Sequence, residues 1–116
     1  MAIGANIYHI FNFGINCFTA LTLLMCDNNQ LTNLDVTQNN ALTGLLCRNN
    51  KLTSLNVSNN TALTELVCDV NQLTCLNIKN GNNNLITYIS PYNPNLTCIE
   101  LDDPNWARQN WGTNNG

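Results

Sequence analysis

Apolar residues return along this chain at short fixed distances, in half-units of the form LxxLx(C/V/I)xxN. A leucine–threonine pair opens each one, at Leu21-Thr22, Leu31-Thr32, Leu42-Thr43, Leu52-Thr53, Leu63-Thr64 and Leu73-Thr74. These follow in steps of 10, 11, 10, 11 and 10 residues, so two steps make a unit of 21. Three units align without gaps, from Ala20, Ala41 and Ala62. The first half of each carries Cys26, Cys47 or Cys68 at its sixth position; the second half carries Val36, Val57 or Ile78. A period in this range marks a solenoid, whose coils bury a continuous core only by stacking. Within a half-unit the inward and outward positions alternate, which is strand spacing. A half-unit is also too short for a helix of about 10–12 residues plus its turns. The pattern predicts a mainly β solenoid with little helix and two stacked, short parallel sheets. Strands are expected near 23–26, 44–47 and 65–68 in one sheet, and near 33–36, 54–57, 75–78 and 98–101 in the other.

The ends are less regular. Extra residues at Gly81 to Asn84 distort a fourth unit, whose first half runs irregularly through Ile86, Ile89 and Pro91-Tyr92-Asn93-Pro94. Leu96, Ile99 and Leu101 restore its second half. Shifted by 21, Ile3 and Ala5 fall on Leu24 and Cys26, and Ile10, Phe13 and Ile15 on Leu31, Leu34 and Val36. The chain therefore divides into a degenerate N-terminal repeat or cap at 1–19, repeats at 20–103, and a C-terminal cap and tail at 104–116. That makes about four coils plus the degenerate one. Trp106 is expected to fold over the open end of the core and shield Leu101 and Ile99, while Gly112 to Gly116 fray. Asn-rich turns, as at Asn39-Asn40 and Asn59-Asn60, suit sharp corners because Asn tolerates left-handed backbone and bonds local amides.

Composition narrows the function classes. Charged residues are only 9% of the 116, and 25 asparagines take their place. The formal net charge is -3, and the four basic residues, Arg48, Lys51, Lys79 and Arg108, are scattered. Nucleic acid is therefore not an expected partner, since it requires clustered Lys and Arg. No apolar run approaches the roughly 18 residues of a membrane span. The apolar N-terminus has no basic residue before Arg48 and is not read as a signal peptide.

The segment Leu21-x-x-Leu24-x-Cys26-x-x-Asn29-x-Leu31 resembles the core segment of leucine-rich repeats. The 21-residue length and the second, LxxLDV-like half resemble the nested bacterial class of that family. Residues 93–106, NPNLTCIELDDPNW, are similar to the last repeat of leucine-rich-repeat proteins of Bacteroidetes-type bacteria. The resemblance covers 20–106 strongly and 1–19 weakly. It implies a leucine-rich-repeat solenoid belonging to a longer exported bacterial protein, placed outside the cell or at its surface.

Six cysteines raise the question of metal or redox chemistry. Cys26, Cys47 and Cys68 form no CxxC pair, as zinc sites do. They are expected to be an inward column, buried and reduced, because free cysteine packs as a small hydrophobe. Cys75 and Cys98 take an outward position and stack on neighbouring coils, as two nearby thiols or as a strained disulfide. Asn29, Asn50 and Asn71 align in one column, and Asn39 and Asn60 in another; bonding of turn backbone is favoured there over recognition of a glycan. His9 stands alone and makes a poor base or ligand, and no nucleophile–base set assembles. No catalytic, cofactor or metal site is therefore expected. The outward positions of the first sheet say more. Met25, Leu46 and Val67 make an apolar column where the second sheet carries Asp35, Asn56 and Asn77. With Leu23, Asp27, Arg48, Glu65 and Asp69 around it, that column is the candidate binding face. The chain reads as a non-catalytic interaction module for a protein or a glycan. The rival reading is a structural spacer with no ligand of its own.

Overall fold

The computed structural model describes residues 2–3, 15–82 and 92–110. Ala5, His9, Ile10, Phe13, Ile86, Ile89, Pro91, Trp111 and Gly112 to Gly116 lie outside them. The chain is a mainly β solenoid with two parallel sheets. The first sheet joins β1 (Ala2–Ile3), β2 (Leu23–Met25), β3 (Gly44–Leu46) and β5 (Glu65–Val67), in that order. The second joins β4 (Ser54–Asn56), β6 (Cys75–Asn77) and β7 (Cys98–Glu100). A 3-10 turn at Ile15–Cys17 and a helix α1 at Pro104–Asn110 complete the described elements.

Register follows the 21-residue unit. Leu24 pairs with Leu45 and Leu45 with Leu66, each in the plane of the next coil. Ile3 pairs with Leu24, the neighbour that a shift of 21 assigns it. Leu24, Leu45, Leu66, Cys26, Cys47, Cys68, Val36 and Val57 are all fully buried, as are Leu21, Leu42, Leu52 and Leu63. Each buried leucine contributes roughly 1.5–3 kcal/mol relative to an exposed one. The cost of ordering one thin coil is thus met only jointly with its neighbours.

Two expectations change. Among the described residues no strand forms at 33–36, although Leu34 and Val36 are buried in their columns. The apolar pattern fixes which side chains turn inward; it does not by itself bring backbone into ladder spacing. At the C-terminus, Trp106 does not cover Ile99, which is 39% exposed. Asp103 Oδ1 instead accepts the N–H groups of Asn105 (2.9 Å) and Trp106 (3.1 Å), capping α1. Pro104 at the first helical position suits that start. The helix so begun turns Ala107 inward, while Trp106 stays half-buried and Leu101 packs on the core.

Asparagine closes the coils. Asn50 Nδ2 donates to Cys26 O (2.9 Å) in the preceding coil and to Cys47 O (3.0 Å) in its own. Its Oδ1 accepts the Leu31 N–H at 3.1 Å. Asn71 repeats this with Cys47 O, Cys68 O and the Leu52 N–H. Asn93 continues it, with Cys68 O and the Leu73 N–H. A second column, Asn39, Asn60 and Asn80, serves the other corner. Asn60 Nδ2 donates to Val36 O and Asn39 O, and Asn80 Nδ2 to Asn60 O.

Replacing Asn50 by Ala strands the buried Leu31 amide, at about 1–3 kcal/mol, and takes one of two side-chain donors from each of the Cys26 and Cys47 carbonyls. Asn50→Ala should therefore lower the unfolding free energy by at least ~2 kcal/mol in urea titration. Asn59→Ala, at an exposed residue whose side chain bonds Thr37 O, should cost less than ~1 kcal/mol. Equal losses would show that the buried amides are not what closes the coil.

Candidate functional site

The outer face of the first sheet is built by alternation. With Leu24, Leu45 and Leu66 inward, β2, β3 and β5 turn the residues on either side of them outward. Met25, Leu46 and Val67 stand in register across three coils. Met25 is 41% exposed; Leu46 and Val67 are half-buried by their neighbours. The next outward column is Leu23, Gly44 and Glu65. Leu23 Cδ1 leans across the strand to within 2.7 Å of where a Cβ on Gly44 would sit. Gly44 leaves that space to the Leu23 side chain, which extends the apolar surface. Glu65 is exposed at its edge.

Charged residues line the other side of the stripe. Arg48 Nε lies 3.1 Å from Asp69 Oδ2, and the Arg48 N–H donates to Asp27 Oδ1 at 2.6 Å. Asp69 is not the exposed rim residue expected from the sequence: its side chain is 8% exposed beneath an Arg48 that is 58% exposed. Asp27 is half-buried. The partner-accessible charges of this face are therefore Arg48 and Glu65, with two acids held beside the arginine.

The sequence reading passed over Val70. Asn28, Asn49 and Val70 occupy equivalent turn positions, with φ of 57°, 54° and 54°. Asparagine tolerates that left-handed backbone; a β-branched residue there is a genuine outlier. Val70 is nonetheless 39% exposed and lines, with Asn28, Arg48 and Asn49, an open groove of about 280 Å³. The signal was present in the repeat, as valine standing where two earlier units have asparagine. Strain of this kind is retained at sites where the side chain is used.

No known family profile and no curated protein matches the chain. Among solved structures, it is similar to the functional domain of InlJ from Listeria monocytogenes, described as including a cysteine ladder. Identity is 26%, over 76% of this chain and 26% of that one, with a TM-score of 0.36. This chain thus spans about a quarter of that domain's length, and its fold rests on its own geometry.

The remaining sequence candidates separate cleanly. Cys26, Cys47 and Cys68 line up inside the core, away from the face. Burial, with a smaller push from Asp27 or Asp69, raises the Cys26 and Cys68 thiols from 9.0 to about 12. Burial raises Cys47 well above 9.0 too, with lesser contributions from its cysteine neighbours. These thiols are neutral packing groups at physiological pH. Cys75 and Cys98 project from the second sheet, remote in the repeat from the stripe. The second sheet's outer face is polar, and its side chains are engaged in turns. Asp35, Asn56 and Asn77 accept the N–H groups of Thr37, Ser58 and Lys79 through Oδ1. Among the described residues no group of three or more His, Cys, Asp or Glu side chains could hold a metal ion. No described helix is long and apolar enough to cross a membrane.

Two predictions follow from these placements. A thiol whose pKa is raised by folding contributes stability that is fully present below pH 9.0 and lost as pH climbs toward about 12. Each buried cysteine should add up to ~1.4 kcal/mol per pH unit to the fall in unfolding free energy above pH 9. The slope in Cys47→Ala should be shallower than in the wild type; identical slopes would mean that these thiols ionise in the folded state. Separately, Val70→Asn should raise the melting temperature by relieving roughly 1 kcal/mol of backbone strain. A lower melting temperature would show that valine's packing there outweighs the strain.

Proposed function

We propose that the chain is a non-catalytic interaction module that binds a protein through the outer face of its first sheet. The observation that carries this is the asymmetry between the two outer faces. Outward polar residues of the second sheet are consumed in holding turns, whereas the column Met25–Leu46–Val67 holds nothing and is left in contact with water. An apolar stripe aligned across coils and bordered by charge has the anatomy of a recognition surface. Leu23 widens it on one side, and Val70 stands beyond the charged column on the other, in the groove beside Arg48.

The stripe is aliphatic, and among the described residues the aromatic side chains Phe18, Tyr92 and Trp106 stand outside it. That favours a protein partner over a glycan, which is commonly held by stacking on aromatic rings. Glu65 is exposed on one border of the stripe and Arg48 on the other, so the fitting partner presents an apolar centre with a basic group facing Glu65 and an acidic group facing Arg48. The repeat is read as a leucine-rich repeat of the nested bacterial class. On that reading the module works outside the cell, as part of a longer exported protein.

The test uses wild type and Met25→Ser/Leu46→Ser/Val67→Ser in parallel, against a library of displayed protein fragments and a glycan array. Wild type should capture protein fragments rich in apolar residues and carrying charges of both signs, and the triple variant should bind them at least ~10-fold more weakly, a difference of about 1.4 kcal/mol. Equal binding by both would remove this face. Capture of glycans alone would replace the protein reading. Failure of both chains to bind anything, with circular dichroism showing both folded, would favour the spacer.

A further inference from the structure

Cys75 and Cys98 stand apart from the binding face and from the buried column. They are register partners on the neighbouring parallel strands β6 and β7. Their column continues from Ser54, which pairs with Cys75. Neighbouring strands run about 4.8 Å apart, and a disulfide spans Cα separations of roughly 4.4–6.8 Å. The two backbones are therefore already within bridging range. Cys75 is exposed and Cys98 half-buried, so a small reagent can reach the pair. A side-chain hydrogen bond to Cys98 is the main cause that holds the Cys75 thiol above 9.0; slight desolvation and the neighbouring Cys98 and Glu100 add to it. Cys26, Cys47 and Cys68 are fully buried and closed to the same reagents.

The position of the pair gives it a consequence. Among the described residues β7 is paired on one side only, to β6. In a solenoid the terminal coil lacks one neighbour and opens first. Between Cys75 and Cys98 the chain leaves the 21-residue frame, since β6 and β7 are offset by 23 positions. The last coil is thus held to the stack by one short ladder and a few side-chain bonds, such as the Gly81 N–H to Asp102 Oδ2 at 2.7 Å.

We propose that Cys75 and Cys98 form a modification site: a reversible disulfide, made by exchange with a small-molecule disulfide, that fastens the last coil to the one before it. In the first step one protein thiolate attacks a sulfur of the small disulfide, which leaves as one thiolate and yields a mixed disulfide. In the second step the other protein thiolate attacks the protein sulfur of that mixed disulfide and expels the second small thiolate. The two protein thiols give up two protons and two electrons. The small disulfide is reduced to two thiols, which take up the protons. Adjacent parallel strands hold Cβ atoms farther apart than the ~3.8 Å of a relaxed bridge, so the bond is strained and readily reversed by reductant. That makes it a lock that responds to the redox state of its surroundings rather than a permanent staple.

The experiment treats the full chain with oxidised glutathione, quenches with acid, and reads intact mass, peptide map and melting temperature. Apart from any glutathione taken up by the exposed Cys17, the wild type should lose the mass of two hydrogens, yield a cross-linked peptide joining Cys75 to Cys98, and melt at a higher temperature until dithiothreitol reverses both changes. Amides of β7 should exchange more slowly in the oxidised form. Cys75→Ser, an exposed and nearly isosteric change, should keep the far-ultraviolet spectrum and retain a single glutathione on Cys98. Wild type that keeps a glutathione on each of the two cysteines would overturn the proposal. So would a bridge to Cys17, a disulfide-linked dimer, or no reaction at either thiol. An internal bridge that leaves the melting temperature and β7 exchange unchanged would overturn the lock.

Discussion

A buried asparagine side chain that reaches into the neighbouring coil is the interaction on which the rest of this fold depends. A coil of 21 residues must turn two corners, and at those corners the backbone leaves the strand ladders while still under cover. Its carbonyls and amides need partners or cost free energy. The asparagine side chain carries one acceptor and two donors on a short stem, and it meets both needs at once. Asn50 joins three separate stretches, at Cys26, Cys47 and Leu31, and Asn71 does the same one coil on. Each amide ties its own coil to the one before it, so these bonds help the leucines set the stacking register. The unusual composition, rich in asparagine and poor in charge, follows from that geometry.

Because inward columns and corners already account for stability, the outward positions are left to other uses. The two sheets use them differently. On the second, Asp35, Asn56 and Asn77 each fold back on the turn that follows, which explains their polarity without any ligand. On the first, the equivalent positions are Met25, Leu46 and Val67, and no such local task requires them. Gly44 is the position where the face was shaped rather than merely filled, since its missing side chain leaves space for Leu23 to lean across the strand. Val70 adds an apolar side chain at a backbone geometry better suited to asparagine. Leu23 extends the stripe itself, whereas Val70 lines the groove beside Arg48.

Much of this was legible from spacing. The steps of 10 and 11 residues gave the solenoid, and the alternation Leu24, Met25, Cys26 gave the inward and outward columns. What spacing could not show was anything that depended on where the frame breaks. Asn93 takes the rung after Asn71 although it stands 22 positions on, one more than the repeat. Leu34 and Val36 were correctly inward, yet pairing of their backbone required a neighbour at ladder distance, which a one-dimensional pattern does not encode. Asp69 was expected on the rim by its charge, but its place beneath Arg48 depends on the neighbouring coil. The helix at Pro104–Asn110 was signalled by Asp103-Pro104, a cap followed by a favoured first residue. That cue is too short to outweigh the β pattern before it.

Amide hydrogen exchange tests the account most directly, because the chain contains its own control. The amides of Leu31, Leu52 and Leu73 donate to the Oδ1 of a buried asparagine in the next coil. The amides of Thr37, Ser58 and Lys79 donate to a side-chain Oδ1 as well, but within exposed local turns. If the buried asparagines hold the stack, the three leucine amides should exchange only through global unfolding, with protection equal to that of the slowest strand amides. The turn amides should exchange by local opening, orders of magnitude faster. Leucine amides that exchange as fast as those of Thr37, Ser58 and Lys79 would contradict the central claim, since the bonds between coils would then open without the fold noticing.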